Sequence, residues 1–217
     1  MGDEPTTYRA IDPSGTKDRE LYFLLTSIVV PRPIAWVSTL AADGTMNLAP
    51  HSYTTVLSAE PPVVCFVSVG QKDSLRNARE TGDFVYNVAG VDFLESINLS
   101  AANFPPDESE FDWTGLASCP SDLVRSPRVA DAPVSMEARV VGVHQILDAD
   151  NYLVMGEVVR IHLAERIMTD DRIDPAKLQP IGRLSGSMYS LQGDLVKLKR
   201  PTWQGLLDAG AEPPAGR

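Results

Sequence analysis

The 217-residue chain has few of the features that mark several large classes of proteins. It contains only two cysteines, Cys65 and Cys119, so it has no disulfide framework, and we expect a cytoplasmic protein. No uncharged apolar run approaches the ~20 residues that span a bilayer. The first residues are polar and acidic and do not resemble a secretory signal. We therefore expect no membrane association.

Positive charge is also scarce. The chain has 19 Lys and Arg against 29 Asp and Glu, which gives a formal net charge of -10 at pH 7. A nucleic-acid-binding protein needs clustered cations to displace the counterions of phosphate. Because the cations here are few and scattered, we do not expect a nucleic acid partner.

Several catalytic and cofactor motifs are missing as well. No G-x-G-x-x-G follows a predicted strand, and no Walker A, H-E-x-x-H or G-x-S-x-G motif occurs. The three histidines, His51, His144 and His162, lack metal-ligand spacing. The sequence thus favours neither a Rossmann dinucleotide site, nor a hydrolase, nor a metal centre.

What is present is a series of strands separated by short helices. The pattern predicts strands at 34–40, 46–57, 63–69, 84–89, 136–147 and 152–163, helices at 20–28, 73–81 and 91–102, and a loop at 103–121. Such a series favours a mainly β fold with an antiparallel barrel over a parallel βαβ sheet. We predict a polar N-terminal arm at 1–19, one domain at 20–200 and a flexible tail rich in Pro, Gly and Ala at 201–217.

One candidate site lies where a buried strand meets a helix, in the sequence Gln71-Lys72-Asp73-Ser74-Leu75-Arg76-Asn77. A helix start presents free N–H groups and partial positive charge, and Lys72, Arg76 and the Ser74 hydroxyl add to both. A phosphate monoester fits such a place. The alternative is that Asp73 or Ser74 merely caps the helix while Lys72 is solvated.

A second candidate is the polar interruption Asn47-Leu48-Ala49-Pro50-His51-Ser52-Tyr53. Pro50 cannot donate to a ladder, so this part of the strand is predicted to lie at a sheet edge or a bulge. Asn47 and Ser52 could then offer side-chain hydrogen bonds to a flat heteroaromatic ring. The alternative is ordinary polarity next to a turn.

These segments, in this order, resemble the flavin reductase-like family, whose fold is the FMN-binding split barrel. The resemblance covers roughly residues 20–200. Its motifs are Arg32-Pro33-Ile34-Ala35-Trp36-Val37-Ser38-Thr39, Asn47 to Tyr53, Ser58 with Pro61-Pro62, Lys72 to Asn77, Glu80-Thr81-Gly82, Phe84, Asn87, Phe104-Pro105, Ile173 to Leu178, Arg183-Leu184, Gly186 and Tyr189.

The resemblance implies a split, Greek-key-like antiparallel barrel and a homodimer with FMN in a groove near the subunit interface. Lys72 and Ser74 would hold the phosphate, helped by the turn at 68–71. The ring would lie along Ser38, Thr39, Asn47 and Ser52. The remaining residues it implies are Tyr53, Asp73 and Arg76 for the cofactor and, on the substrate side or as plain packing, Phe104 and Tyr189.

The function implied is an NAD(P)H-dependent flavin reductase that supplies reduced flavin to a partner monooxygenase, with NADH or NADPH as co-substrate. FMN is the expected cofactor, and FAD is possible. The cofactor carries the hydride chemistry, so no acid–base residue is predicted. Two alternatives share the same site. One is a flavin-bound electron carrier or redox sensor without free NAD(P)H turnover, and the other is a flavin enzyme with its own organic substrate.

Overall fold

The structure, a computed structural model, describes residues 6–210. Residues 1–5 of the predicted arm and 211–217 of the predicted tail lie outside the described residues. The elements in the first half are α1 (Asp18–Ile28), β1 (Ala35–Leu40), β2 (Met46–His51), β3 (Thr54–Ala59), β4 (Pro62–Val69), α2 (Asp73–Thr81) and β5 (Asp83–Val88).

The second half continues with α3 (Leu94–Leu99), α4 (Glu110–Thr114), β6 (Ser118–Cys119), β7 (Arg128–Val129), β8 (Val134–Gln145), β9 (Asn151–Leu163), β10 (Met168–Thr169), β11 (Arg172–Ile173), α5 (Pro175–Leu178), β12 (Gly182–Arg183), β13 (Tyr189–Ser190) and α6 (Trp203–Asp208). The prediction of a mainly β fold with short helices is confirmed. No helix within residues 6–210 combines the length and the apolar character needed to cross a membrane.

Seven strands form one sheet in the order β2-β1-β5-β8-β9-β4-β3, and every ladder in it is antiparallel. Its two edge strands, β2 and β3, follow each other in the chain and are joined by only Ser52 and Tyr53. Two edges linked by two residues must lie close together at that point. The sheet therefore curls into a barrel that is split between β2 and β3.

This link also explains a difference from the sequence prediction, which gave one strand at 46–57. The chain instead passes from one edge of the sheet to the other at Ser52 and Tyr53, which lie in a bend. Pro50 lies on β2 opposite Trp36, and β2 is an edge strand, as its missing N–H requires.

The barrel interior is filled by apolar side chains from the strands and from α2. Phe66 and Phe84 meet edge to face with ring centroids 5.2 Å apart, and Leu75 and Ala78 of α2 pack into the same core. Because α2 contacts β1, β2, β5, β8 and β9, it closes one end of the barrel. The start of α2 is thereby fixed next to the edge strand β2.

A second apolar cluster lies on the outer side of the barrel. Trp36 and Leu48 of the β1–β2 hairpin pack there against Ile97 of α3 and Phe111 of α4. The sequence predicted a loop at 103–121, and the short helix α4 within it owes its position to this packing. Residues 100–114 are held in this way beside β2.

The outer face of β8 carries a buried carboxylate. Glu137 is fully buried beneath residues 121–126, and its oxygens accept hydrogen bonds from the N–H groups of Asp122 and Leu123, both at 2.7 Å. His162 Nε2 lies 2.6 Å from Glu137 Oε1. Alternation along β8 placed Glu137 on the face away from the barrel interior but could not show that another segment covers it.

Candidate functional site

A cavity of about 560 Å³ opens beside β2, at the end of the barrel closed by α2. This volume lies within the ~300–1,000 Å³ range typical of small-molecule sites. Its walls come from β2 and the link to β3, from the end of β4, from the start of α2 and from residues 100–110. They are formed by Tyr22, Asn47, Ala49, Pro50, His51, Ser52, Tyr53, Val67, Val69, Gln71, Lys72, Asp73, Ser74, Arg76, Ser100, Ala101, Ala102, Asn103, Phe104, Pro106 and Glu110.

Eight of the eleven predicted site residues meet in this cavity, namely Asn47, Ser52, Tyr53, Lys72, Asp73, Ser74, Arg76 and Phe104. The two candidate segments identified in the sequence thus form adjoining walls of one site. Which of these residues contact a cofactor stays a prediction.

Three predicted residues lie outside the cavity walls. Ser38 is buried in β1, where its hydroxyl donates to Pro127 O at 2.5 Å and accepts from Asn87 Nδ2 at 3.0 Å. Thr39 lies behind Asn47 and accepts its side-chain amide at 3.2 Å. Tyr189 packs on the outer cluster, 3.3 Å from Asn98 Oδ1. Ser38 and Thr39 point to opposite faces of β1, and neither side chain lines the cavity. Thr39 is covered by β2 and α2, and Ser38 is covered by residues 126–129.

The first turn of α2 is not capped by a side chain. Lys72 occupies the N-cap position, and neither Asp73 nor Ser74 accepts a hydrogen bond from the backbone of the helix start. The side-chain cap expected under the capping alternative is thus absent, whereas Lys72 is exposed to solvent, as that alternative expected. The N–H groups at the start of α2 are therefore free to face an anion in the cavity.

Charge is distributed unevenly around this helix start. Arg76 is paired with Asp73 at 2.5 Å, whereas Lys72 Nζ has only the neutral amide oxygen of Asn103, at 3.4 Å. Lys72 makes no ion pair with any residue in the part of the chain that the structure describes. Its ammonium group is thus available to a ligand at this end of the cavity.

Ser74 is held by two neighbouring side chains. Its hydroxyl accepts from Asn47 Nδ2 at 3.1 Å and lies 3.3 Å from His51 Nε2. His51 Nδ1 lies 3.3 Å from Val67 O, a carbonyl that can only accept, so Nδ1 carries the ring proton and Nε2 accepts from Ser74. The Ser74 hydroxyl must therefore turn away from His51 before it donates to a ligand.

His51 is neutral in this environment. Burial lowers the pKa of His51 from 6.5 to about 4, since desolvation disfavours the charged ring. The imidazole stacks obliquely on Phe66, with centroids 4.6 Å apart. It contributes a hydrogen-bond acceptor to the cavity and no charge at neutral pH.

A buried guanidinium lies behind the link between β2 and β3. Arg32 donates to the carbonyls of Thr26 at 2.6 Å, Val29 at 3.1 Å and Leu184 at 2.9 Å, and its Nε lies 3.4 Å from Ser52 Oγ. Arg32 has no carboxylate partner within residues 6–210. Its charge therefore makes the Ser52 side of the cavity more favourable for negative charge.

Sequence reasoning did not assign a role to several residues of the site. Tyr22 reaches the cavity from α1, and Glu110 reaches it from α4. Neither belongs to a local pattern, because each is brought to the site by packing between distant segments. His51 was named within the polar interruption but was given no role there, although its place between Asn47 and Ser52 was a usable signal.

The fold and the cavity together define a β-barrel protein with an open cavity of small-molecule size beside the split of its barrel. Residues 27–175 match the family model described as flavin reductase like domain. The chain therefore belongs to the flavin reductase-like family, and this prediction from the sequence is confirmed.

Individual relatives agree with this membership. An uncharacterized protein of Halalkalibacterium halodurans is 37% identical over 203 residues, which cover 88% of this chain and 96% of the relative. Nitrilotriacetate monooxygenase component B from Bacillus cereus has 33% identity and a TM-score of 0.85 over 89% of this chain and 100% of its own. The 2-nitrobenzoate 2-nitroreductase NbaA of Pseudomonas fluorescens has 30% identity and a TM-score of 0.84 over 96% and 100%.

A more distant structure bears on the fold alone. A protein with a split barrel domain from Shewanella frigidimarina has 21% identity and a TM-score of 0.78 over 87% of this chain and 96% of its own. The predicted split-barrel fold is thereby confirmed.

Proposed function

We propose that this protein binds FMN in the cavity at the barrel split and uses it as an NAD(P)H-dependent flavin reductase. The observation that carries the proposal is the uncapped start of α2, which adjoins the polar residues of β2, together with Lys72, which forms no ion pair within residues 6–210. A phosphate monoester fits the first wall and a flat, polar-edged ring fits the second. Membership of the flavin reductase-like family supports this choice of ligand.

The residues have distinct roles in this proposal. Lys72 and the N–H groups at the start of α2 hold the phosphate, and Ser74 adds a hydrogen bond once its hydroxyl turns from His51. Asn47, Ser52 and Tyr53 line the ring, while Thr39 supports Asn47 from behind and Ser38 has no contact with the ligand. FMN supplies the hydride chemistry when it is bound, so the protein contributes binding, orientation and electrostatics.

The positive charge of Arg32, close to Ser52 in the wall proposed for the ring, favours negative charge on a ligand. The buried Arg32 hydrogen-bonds Ser52, and no carboxylate within residues 6–210 neutralises it. Negative charge that develops near Ser52 is thereby stabilised, as in other sites with preorganised positive groups. FMN is the expected flavin, and FAD is possible because the cavity is open to solvent.

A partner oxygenase and a second subunit belong to the same proposal. The similar Bacillus cereus protein is component B of a monooxygenase, which supports a role in supplying reduced flavin. The exposed Val56 and Leu57 on the edge strand β3 support a homodimer, since a second subunit would cover both the apolar side chains and the edge. The two free cysteines, Cys65 and Cys119, are compatible with a cytoplasmic location.

The direct test is the absorbance spectrum of the purified protein, followed by NADH and NADPH oxidation assays with and without added FMN. We expect repeated turnover that depends on FMN. An electron carrier or redox sensor would instead stop after one equivalent of NAD(P)H. Failure of the protein to bind FMN would refute the proposal.

A second candidate is a flavin enzyme with its own organic substrate. The similarity to a 2-nitrobenzoate 2-nitroreductase favours this candidate, and Phe104 lines the cavity where an aromatic substrate could pack. Protein that binds FMN and consumes NAD(P)H only when a nitroaromatic acid is added would support it. Steady consumption with FMN alone would favour the reductase.

A further inference from the structure

Glu110 is a buried carboxyl group in the wall of the cavity, and neither proposed function uses it. Its side chain is 5% exposed, and its Oε2 accepts a hydrogen bond from the N–H of Leu48 on β2 at 2.8 Å. Phe111, the next residue, is buried in the outer cluster and holds α4 against β2. The carboxyl group is thus fixed in the site and cannot turn out to solvent without moving the helix.

No cation neutralises Glu110 within residues 6–210. The Lys, Arg and His side chains of the described residues form ion pairs elsewhere or none at all. Arg76 in the same cavity is already paired with Asp73. An ionised Glu110 would therefore be a second carboxylate in a site whose other wall is built for an anion.

The charges in the cavity show how much depends on Glu110. Lys72 and Arg76 are positive, Asp73 is negative and the buried His51 is neutral. With Glu110 protonated, these groups leave one net positive charge. With Glu110 ionised, they leave none, and the like charges of Glu110 and of a bound phosphate repel each other at close range.

We propose that the cavity binds a phosphate monoester together with a proton, which is taken up from solvent by the carboxylate of Glu110. This inference rests on the proposed function, because it concerns the same anion at the same site. Only a proton moves, and no covalent bond to the ligand is made or broken. Glu110 is a positioning residue that makes the affinity for the anion depend on pH.

The local environment agrees with this role. Burial raises the pKa of Glu110, and the nearby charge of Asp73 raises it further, against the hydrogen bond from Leu48. Besides the cavity groups already named, Tyr22 and Tyr53 face the same space. Of the elements packed against α4, β2 contributes His51, and α3 contributes Glu95, which is exposed to solvent.

The linkage has a definite sign. A bound anion favours the neutral form of Glu110, so binding takes up protons wherever Glu110 is ionised in the free protein, and affinity falls as pH rises. The phosphate group of the ligand has the opposite effect on proton binding. The neighbouring Lys72 favours the phosphate dianion, so the phosphate releases protons when the ligand binds. Net proton uptake on binding therefore identifies the contribution of Glu110.

The test is titration calorimetry with FMN in two buffers of different ionisation enthalpy, between pH 6 and pH 8. The variants are Glu110→Gln, which keeps an acceptor for Leu48 N–H, and Glu95→Gln, which removes an exposed charge outside the cavity. Between pH 6 and pH 8 we expect the Kd for FMN to rise in wild type and in Glu95→Gln. This rise should be roughly tenfold larger than the rise in Glu110→Gln. Proton uptake should disappear in Glu110→Gln.

A second comparison needs only the wild-type protein. Riboflavin lacks the phosphate, so its binding at pH 7.5 should take up no proton, whereas FMN binding should. Equal uptake with both ligands, or identical pH dependence in wild type and Glu110→Gln, would overturn the inference while the reductase proposal stands. Absence of any FMN binding by wild type would instead refute the proposed function, and the inference with it.

Discussion

The side-chain amide of Asn47 lies 3.1 Å from the hydroxyl of Ser74 and so joins the edge strand β2 to the first turn of α2. The same amide donates to Thr39 at 3.2 Å. Both contacts are buried, and they connect the wall proposed for the ring to the wall proposed for the phosphate. One side chain thus sets the spacing between the two halves of the site.

Asn47→Ala is expected to affect both stability and binding. Ser74 and Thr39 would each lose one buried hydrogen bond but keep a second partner, His51 and Asn77 respectively, so the two losses together cost about 1–3 kcal/mol. We expect the free energy of unfolding in urea to fall by about that amount without flavin, and FMN affinity to fall as well. Unchanged stability would show that the two walls are held independently of Asn47.

Lys72→Ala is expected to weaken FMN binding and leave the fold intact, since Lys72 is exposed and makes one long hydrogen bond. Loss of a charged hydrogen bond of about 1.5–3 kcal/mol corresponds to a roughly 10- to 150-fold rise in Kd. Fluorescence titration with FMN measures the change. Lys197→Ala, an exposed lysine outside the cavity, is the control. Wild-type affinity in Lys72→Ala would refute the phosphate assignment.

His51 predicts a pH dependence of stability. Its pKa is about 4 in the folded protein because of burial, below the ordinary 6.5, so the unfolded chain binds a proton more readily. The stabilisation is complete above pH 6.5 and is lost as pH falls towards 4. Between pH 7 and pH 5 this loss is on the order of 2 kcal/mol.

Urea unfolding of wild type and of His51→Gln at the two pH values measures the contribution of His51. Carboxylates titrate in both proteins, so only the difference between them reports on this residue. We expect the variant to be less stable at pH 7 and less sensitive to pH. Equal pH sensitivity would mean that His51 is protonated without cost in the folded state.

Gly156→Ala is expected to destabilise the barrel. A Cβ at Gly156 would lie 2.5 Å from the ring of Phe84 and 2.9 Å from Ala138 Cβ, both in the core. Overpacking of this kind costs about 1–3 kcal/mol. Gly193, where a Cβ meets nothing within 4 Å, provides the matched Gly193→Ala control. In thermal unfolding, we expect the Tm to fall for Gly156→Ala and to stay at the wild-type value for Gly193→Ala.

Much of the fold follows from local pattern, because each hairpin and α2 is specified by alternation, turn residues and a C-terminal glycine over a few residues. The two walls of the cavity were likewise visible as Lys72-Asp73-Ser74 and as the polar interruption of β2. Tyr22 and Glu110 were not predictable, because only the packing of α1 and α4 brings them to the site. Ser38 and Thr39 were assigned to the ring, and only tertiary structure shows Thr39 behind Asn47 and Ser38 beneath residues 126–129.

The environment of Glu137 could not be predicted from the sequence either, because residues 121–126 cover this side chain only in the folded protein. Gln at this position would replace one carboxylate oxygen by an NH2 donor, which would face either the N–H of Leu123 or the N–H of Asp122 beside His162. We expect Glu137→Gln to lower the free energy of unfolding by roughly 1–3 kcal/mol. Hydrogen exchange should be faster at residues 121–126, whereas Glu157→Gln, at an exposed position of β9, should change neither quantity.

Ser52 and Tyr53 are both the link between the two sheet edges and part of the cavity wall. A molecule bound there contacts both borders of the gap, so we expect it to oppose separation of β2 from β3. A ligand L that binds only the folded protein therefore adds RT ln(1 + [L]/Kd) to the free energy of unfolding. In a cell with little ligand, most of the protein would be in the less stable ligand-free state. The lifetime of the protein would then depend on the concentration of the ligand.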